Sequence, residues 1–494
     1  MPNTFFGLNI GTLGIHTANI QLDVTANNVA NEHTKGYSRQ KGAQQATTPL
    51  RAYQQYGMIG SGVEVTSIYR TRNEYYDVRY QENQTRYGEN YARYYYLFKI
   101  EDLFNEEKVE GFTREFGRFY EAVQEMAKDP SNITTKTTYM NYAESLLEYM
   151  QEIKKDLQLE QEDLNAEISN NVNSINSYAQ EIASLNKQIN VVELTGENAN
   201  ELRDRRSLVL DELSKIVEIS TSEETYSNGK TEFNVKIGGA TLVDNYNYFT
   251  LKVESREERV HDEDAVGLYD IKWSYGDYFN PATQGIGGTL KGLIEIRDGN
   301  NGVQPDDPDI KPIDYKGVPY YIEQINSFLD SFTKTVNEIH QAGEDISGDK
   351  TKDSPPLFIY DDLSKKYIIN PDVRENPALL STAYKRSDGV SQNDLLDDLF
   401  NTKSAVIYNG GTAEEFLRSV VTDIAVDTRK NKNLTANYEN MATTIDNQRL
   451  SIMGVDKDEE AMNLMKYQEM FELCSKVISV MAEIYDVLIR ETGV

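Results

Sequence analysis

Matching apolar repeats lie at the two ends of this chain, and they limit its possible folds more than any other feature. Near the C-terminus, mostly apolar residues recur at alternating gaps of three and four: Leu464, Tyr467, Phe471, Cys474, Ile478, Met481, Tyr485 and Leu488. Near the N-terminus, a similar row consists of Phe6, Ile10, Leu13, Thr17, Ile20, Val24 and Asn27. Such spacing places each row along one face of a helix. Amphipathic helices at both ends favour ends that pack on each other or on neighbouring molecules, as in a subunit of an assembly.

A second row on the N-terminal helix is made of small residues, namely Gly7, Gly11, Gly14 and Ala18. Small side chains let another helix approach closely, although each glycine costs roughly 0.5–1 kcal/mol in a helix interior. We therefore expect a helix that is weak alone and forms against a partner. The helix is predicted to end where Asn27, Asn28 and Asn31 cluster, because asparagine side chains compete with helical hydrogen bonds. Gly36 completes the break.

Charge and length limit the classes of partner. The chain has 494 residues, enough for roughly two to four domains. Its 80 acidic and 50 basic residues give a net charge of −30, which disfavours nucleic acid or an anionic membrane as partner. No apolar stretch reaches the length of a membrane span, and the N-terminus lacks the pattern of a cleaved signal peptide. The usual rule then indicates the cytoplasm, but specialised export that reads uncleaved ends would give the same pattern.

The longest regular pattern runs from about Ser145 to Val192. One row recurs every seven residues, through Met150, Leu157, Leu164, Asn171, Tyr178, Leu185 and Val192. It predicts a helix about 70 Å long, in which Asn171 could set the register against a neighbouring helix. Lys154 and Gln161 interrupt the adjacent apolar row, so we expect the early part of this helix to be less buried. A second helix over 199–216 would complete a helical hairpin.

The middle of the chain changes period. Alternating residues at 233–237 and 249–253 predict strands, and Asn228-Gly229 is suited to a hairpin turn. We predict an α+β fold that is mainly an elongated helical rod, with terminal helices pairing as a coiled coil and an inserted β-rich module. The expected domains are a helix at 1–36 pairing with 455–494, a helical rod over 37–216 and 405–454, a β-rich module over 217–300, a return helix over 301–345, and a short loop-rich insertion over 346–404.

Chemical motifs are scarce. The four histidines, His16, His33, His261 and His340, have no histidine or cysteine partner at metal-ligand spacing, and Cys474 is the single cysteine. Asp306-Asp307-Pro308-Asp309 lacks the alternating ligands and closing glutamate of an EF-hand. We therefore predict no catalytic residue, no cofactor and no metal, and we expect no enzyme activity. A site built from residues far apart in sequence would escape this search.

Several of these segments resemble a known family. Residues 26–31, followed by Thr34-Lys35-Gly36-Tyr37-Ser38-Arg39, resemble the N-terminal signature of bacterial flagellar rod, hook and hook-associated proteins. Gly454-Val455-Asp456, Glu459-Glu460-Ala461 and the helix after them resemble the end of the hook-associated proteins that join hook to filament. Two internal segments agree, Leu202-Arg203-Asp204-Arg205-Arg206 and the stretch from Gly287 to Leu293. Members often carry a large outer β domain after the position of Gly343, and here only the loop-rich insertion stands there.

The resemblance implies a structural subunit that is secreted to the extracellular flagellum without a cleaved signal peptide. It implies a monomer in solution that forms a ring at the hook tip, with four kinds of partner: the hook protein, a second junction protein leading to flagellin, an export chaperone and further copies of itself. No nucleic acid or membrane insertion is expected. Two alternatives stay open, another rod or hook axial protein and a self-standing coiled-coil fibre.

The residues expected at the assembly interface lie at both ends of the chain. The N-terminal set is Phe6, Ile10, Leu13, Ile20, Val24, Asn27, Asn28, Asn31, Gly36 and Tyr37. The C-terminal set, also expected to bind the chaperone, is Leu464, Tyr467, Phe471, Cys474, Ile478, Met481, Tyr485 and Leu488.

Overall fold

The structure is a computed structural model that describes residues 5–51, 57–104, 111–226, 230–302, 313–344, 354–362, 365–385, 391–408 and 410–492. The helices are α1 (Phe6–Ala30), α2 (Glu74–Leu103), α3 (Phe112–Lys128), α4 (Ile133–Glu193), α5 (Asn200–Ile216), α6 (Pro281–Gln284), α7 (Thr289–Arg297), α8 (Val318–Gln341), α9 (Pro371–Glu375), α10 (Asp394–Asn401), α11 (Ala413–Met453) and α12 (Lys457–Thr492). The predicted turn at Asn228-Gly229 and the acidic run Asp306-Asp307-Pro308-Asp309 lie outside the described residues.

The strands are short and pair locally. They are β1 (Gln40–Ala46), β2 (Leu50–Arg51), β3 (Met58–Ile59), β4 (Val63–Arg70), β5 (Ile219–Thr225), β6 (Thr231–Ile237), β7 (Ala240–Asp244), β8 (Asn247–Tyr248), β9 (Leu251–Ser255), β10 (Tyr269–Trp273), β11 (Phe358–Asp361) and β12 (Lys366–Ile369). β5–β6–β7–β8 form a four-stranded antiparallel sheet, and the remaining strands form two-stranded pairs. The prediction of a mainly helical α+β fold is confirmed.

The chain divides into two compact units. Unit 1 consists of Met1–Tyr87, Asn173–Leu251 and Asn437–Val494, and unit 2 of Gly88–Val172 and Lys252–Ala436. Helices α2, α4 and α11 and strand β9 each contribute residues to both units.

In unit 1, helix α1 lies against the β1–β4 pair. The Thr17 hydroxyl donates to the Val63 carbonyl at 3.2 Å, and the Gln21 amide donates to the Gly42 carbonyl at 3.0 Å. The end of α4 and helix α5 form the expected hairpin, tied by an ion pair of 2.7 Å between Arg205 and Glu181. This unit contains every residue predicted for the assembly interface.

Aromatic side chains form the centre of unit 2. Phe116 and Phe119 of α3 pack on Phe332 of α8, with ring centroids 6.4 and 5.1 Å apart. The same unit contains a buried ionic group, in which Arg297 is 1% exposed and pairs with Asp298 at 2.7 Å. Burial raises the pKa of Asp298, but the positive charge of Arg297 and the hydrogen bond from Arg256 lower it further. The resulting pKa of Asp298 is about 2.

The long predicted helix is α4, which begins earlier than expected. Asn132 caps it by accepting the Thr134 amide at 2.8 Å. The expectation that its early part is less buried was wrong, because Gln161 is fully buried. The Gln161 side-chain NH₂ donates to Asp264 at 2.8 Å and to the Arg297 carbonyl at 2.9 Å, and its oxygen accepts the Ala265 amide at 2.9 Å.

Asn171 does not set a register across helices. Its NH₂ group donates to the Glu167 carbonyl of its own helix at 2.8 Å. Other asparagines of α4 bind strands instead, since Asn176 accepts from the Leu251 amide and donates to the Leu251 carbonyl, both at 2.8 Å. Asn190 binds the backbone of Thr231 in the same two ways, at 2.9 and 2.8 Å. These side-chain amides attach the β segments to α4.

The segment predicted to be β-rich also contains helices, and the segment predicted to be loop-rich contains strands and helices. In the segment 217–300, the last strand is β10, and α6 and α7 follow it. In the segment 346–404, the described residues include the β11–β12 pair, α9, α10 and two short 3-10 helices, Pro377–Leu379 and Thr402–Ser404.

Candidate assembly interface

The terminal helices α1 and α12 pack against each other. A Cβ built on Gly7 would lie 2.6 Å from Cε of Met481, and one on Gly11 would lie 2.7 Å from Cγ1 of Ile478. Gly14 lies equally close to Cys474. The partners on α12 run in reverse order, so the pair is antiparallel. Small residues permit this close approach, which explains the row of small residues on α1.

The C-terminal predicted residues lie on the α12 face that meets α1. Tyr467, Phe471, Cys474, Ile478, Met481 and Tyr485 are half-buried. Leu464 and Leu488 are the most open, at 38% and 44% exposed. The Tyr485 ring packs on Phe5 with centroids 5.1 Å apart. In this chain the predicted seam is therefore occupied by α1, and a role for it between subunits stays a prediction.

The apolar residues of the N-terminal set face a different neighbour. Gly62 lies beside Leu13 and Ile10, and a Cβ built on it would lie 3.1 Å from Cδ1 of Leu13. Val24 is 6% exposed, whereas Phe6, Ile10, Leu13 and Ile20 are half-buried. This side of α1 therefore faces the β1–β4 pair, and the glycine row faces α12.

The asparagine cluster at the end of α1 is an internal hydrogen-bonding centre. Asn28 is 1% exposed, and its oxygen accepts the Gln40 amide and the Tyr37 hydroxyl, both at 2.9 Å. Its NH₂ group donates to the Gln40 carbonyl at 2.9 Å. Asn31 donates to the Asn27 side chain at 2.9 Å, and Asn27 donates to the Tyr37 hydroxyl at 3.3 Å. The cluster ends the helix and fixes the turn into β1.

The turn after α1 is attached to α5 by a buried carboxylate. Asp204 accepts the Ser38 amide at 2.8 Å and the Ser38 hydroxyl at 2.7 Å, and Arg70 pairs with it at 2.9 Å. Gly36 adopts φ +83°, a left-handed conformation that favours glycine, while a Cβ there would make only ordinary contact with Leu208 at 3.4 Å. The sequence motifs around Gly36 and Asp204, far apart in the chain, are therefore in direct contact through Ser38.

Arg39 connects the N-terminal motif to the first turn of α12, a contact that was not predicted from the sequence. Its Nε donates to Glu460 at 2.7 Å and its Nη1 donates to Glu459 at 2.8 Å, while its amide donates to the Met453 carbonyl at 2.8 Å. Glu460 is 1% exposed and also accepts from Asn28 at 3.3 Å. The hydrogen bond from Arg39 lowers the pKa of Glu459. Both acids belong to the C-terminal motif, yet no spacing rule links them to residue 39.

The first turn of α12 is also capped. Asp456 accepts the amides of Asp458 at 2.9 Å and of Glu459 at 3.3 Å. Asp458, Glu459 and Glu460 place negative charge at the positive end of the helix dipole, which stabilises the helix start.

A second apolar row on α12 lies about 100° around the helix from the seam, since each member comes one residue before a seam residue. We call it the outer row: Leu473, Val477, Val480, Ile484 and Val487. Its gaps of four, three, four and three repeat the pattern of the seam, and its members are 42–53% exposed. The sequence analysis identified the seam, which packs on α1 here, but it did not identify the outer row.

Neither a metal site nor a membrane span is found in the described part of the chain. No group of three or more His, Cys, Asp or Glu residues there could hold a metal ion. None of the described helices is long and apolar enough to cross a membrane.

Comparison with known proteins gives consistent matches. Residues 97–354 match the flagellar hook-associated protein FlgK helical domain, and residues 446–491 match the flagellar basal body rod FlgEFG protein C-terminal family. Flagellar hook-associated protein 1 of Bacillus subtilis is 25% identical over 100% of this chain and 99% of its own length. The Escherichia coli protein of the same name is 22% identical over 98% of this chain and 99% of its own length.

Among solved structures, the flagellar hook junction protein FlgK from Burkholderia pseudomallei matches with a TM-score of 0.46 and 20% identity. That match covers 57% of this chain and 47% of the solved chain. Because the match to the FlgK helical domain spans more than half of the sequence, the chain belongs to the flagellar hook-associated protein FlgK family, which confirms the resemblance read from its sequence.

Proposed function

We propose that this chain is a structural subunit that joins hook to filament in the bacterial flagellum. It is exported through the flagellar secretion system and assembles as a ring at the hook tip, outside the cell. Its neighbours are the hook protein on one side and a second junction protein, leading to flagellin, on the other. Membership of the FlgK family supports this role, as does the similarity of the whole chain to proteins named flagellar hook-associated protein 1.

The outer row of α12 is the observation that carries the proposal. Five apolar side chains, each about half exposed, line a face of α12 about 100° from the face that packs on α1. Covering the exposed half of each contributes roughly 1 kcal/mol, or about 5 kcal/mol along the row. A helix with two apolar rows suits a bundle of more than two helices. In the ring, neighbouring subunits supply the additional helices.

The proposal also fits the expectation that α1 is weak as an isolated helix. Glycines at 7, 11 and 14 reduce the helix propensity of α1, so α1 depends on packing against α12. Before export, an export chaperone covers the apolar rows of α12 and keeps the ends from associating early. After export, burial by neighbours offsets the entropy of ordering both helices.

In this proposal the chain acts by packing and not by catalysis, and it uses no cofactor. The family is one of structural flagellar proteins. The residues that carry the function are the outer row, the seam and the N-terminal set, and the ionic junction at Arg39 holds the helices in place.

Deleting the gene tests the proposal. Cells are imaged by electron microscopy and the medium is assayed for flagellin, with the intact gene restored on a plasmid as control. We expect hooks without filaments and flagellin shed as monomer. Absence of hooks would instead indicate a rod or hook component, the alternative suggested by the match of residues 446–491 to rod proteins. Normal filaments would contradict the proposal.

A further inference from the structure

Apolar packing alone leaves the register of α1 against α12 ambiguous. Gly7 and Gly14 are seven residues apart, as are Cys474 and Met481. Sliding α12 by one heptad would place Gly14 opposite Met481 and Gly7 opposite Leu488, which again sets small residues against apolar ones. Since a heptad restores the same helix face, the seam discriminates weakly between these registers.

The polar contacts between Arg39 and the first turn of α12 do not recur further along α12. The Arg39 guanidinium lies 2.6 Å from Glu460 and 2.7 Å from Glu459, and its side chain is 9% exposed. One heptad later, the residues in place of Glu459 and Glu460 are Lys466 and Tyr467. In the shifted register Arg39 would face a lysine, and its buried positive charge would lose both carboxylates.

We infer that Arg39 is a positioning residue that fixes the register of the terminal helices through Glu459, Glu460 and Asn28. Removing one partner of a buried ion pair leaves the other charge uncompensated, so the native register is favoured strongly over its neighbours. A single polar contact among apolar repeats specifies coiled-coil register in the same way. This inference rests on the geometry of the chain and not on the proposed function.

Disulfide cross-linking reports the register directly. A Cβ built on Gly14 would lie 3.5 Å from Cβ of Cys474, within the range of a disulfide. Gly14→Cys therefore reports the native register with the natural Cys474. Gly14→Cys with Cys474→Ala and Met481→Cys reports a shift of one heptad in one direction, and Gly7→Cys with Cys474 reports the opposite shift.

The full chain carrying each reporter is oxidised mildly, with and without Arg39→Gln, and intramolecular products are separated on non-reducing gels. We expect the native cross-link to form roughly tenfold or more slowly in the Arg39→Gln background. At least one shifted cross-link should appear only in that background. Arg205→Gln is the matched control, because it removes the same charge from an exposed ion pair of the same unit.

Equal native rates in the Arg39→Gln and Arg205→Gln backgrounds, without shifted products, would overturn the inference. Hydrogen exchange of the β5–β8 sheet checks that the rest of unit 1 stays folded. If Arg39→Gln loses that protection, the experiment is repeated with the double variant Glu459→Gln and Glu460→Gln. We expect the same slower native cross-link and the same shifted cross-link in that variant. Slower native cross-linking without any shifted product would also count against a register role, since it indicates fraying of the helix pair only.

Discussion

At the scale of single residues, His340 is the buried group with the clearest pH dependence. Its Nδ1 donates to the Ser381 carbonyl at 3.1 Å, so Nε2 of the neutral ring accepts the Tyr139 hydroxyl at 3.0 Å. Burial, reinforced by the charge of Lys136, lowers its pKa from the usual 6.5 to about 4. Protonation would bury a positive charge beside Lys136 and would require the Tyr139 hydroxyl to turn from donor to acceptor.

The lowered pKa predicts a loss of stability in mild acid. Below pH 6.5 His340 is protonated in the unfolded chain, whereas in the folded chain it stays neutral until the pH falls to about 4. The free energy of unfolding is therefore highest above pH 6.5 and decreases as the pH falls toward 4. Between pH 7 and pH 5 it decreases by about 2 kcal/mol. Hydrogen exchange of α8 at the two pH values measures this difference.

Two variants make the His340 measurement specific. His340→Gln should reduce the difference between pH 7 and pH 5, whereas His33→Gln, at an exposed position, should leave it unchanged. An unchanged difference in His340→Gln would assign the acid sensitivity to other groups.

Gln161 illustrates why polar residues inside an apolar row are hard to interpret from sequence. The row around it was predicted correctly as a helix face, but the glutamine was taken as a sign of exposure. In the structure its amide pairs with Asp264, Ala265 and the Arg297 carbonyl, more than 100 positions along the chain. Periodicity records which face a residue lies on, but it carries no information about a distant segment that can satisfy a buried amide.

At the scale of elements, the close approach of α1 and α12 depends on residues without a Cβ. On an isolated helix, Gly11→Ala should stabilise by about 1 kcal/mol through helix propensity. Here the added carbon would lie 2.7 Å from Ile478. Overpacking costs typically about 1–3 kcal/mol, so steric conflict should outweigh propensity.

We therefore predict that Gly11→Ala weakens hydrogen-exchange protection of α1 by about 1 kcal/mol. Ile478→Ala should restore part of the loss when combined with Gly11→Ala, because it provides space for the methyl group, and the double-mutant cycle should show coupling. Asn19→Ala, on the exposed face of α1, is the control and should not weaken it. Stronger protection in Gly11→Ala would refute close packing at this position.

Helices were predicted well where apolar residues recur at helical spacing and helix-breaking residues follow. The asparagine cluster ends α1 as expected. The β segments were only partly foreseen, since strands such as β9 and β10 are short and are attached to helices by side-chain amides. The outer row of α12 was also not identified in the sequence, although its spacing is as helical as that of the seam.

At the scale of the whole molecule, the outer row separates assembly from folding. We predict that Val480→Asp prevents filament formation while the α1–α12 pair remains, because Val480 is 53% exposed and lies off the face that meets α1. Ser479→Asp places the same charge one residue away and should be tolerated. Ile478→Asp is less informative, since Ile478 contacts Gly11 and its replacement disrupts the pair itself.

The assay is complementation of the gene deletion, scored by filament length in electron micrographs. Disulfide formation between Gly14→Cys and Cys474 checks that the helix pair persists in each variant. Full-length filaments with Val480→Asp would show that the outer row is not buried on assembly.

Charge and apolar surface act in opposite directions on self-association. A net charge of −30 disfavours contact between free copies, whereas the outer row favours it. We predict a monomer at micromolar concentration in low salt, measured by sedimentation velocity. A stable oligomer under these conditions would favour the coiled-coil fibre alternative.

The sequence by itself determined the helical character of the chain, the amphipathic ends, the main breaks and the family. These follow from periodicity and turn residues, which act over a few positions and can be read locally. Only the tertiary structure decided which row of α12 is covered, that Asn28 is buried, and that Arg39 binds Glu459 and Glu460. Such contacts join residues some 420 positions apart, and their energies depend on burial and geometry that no local pattern encodes.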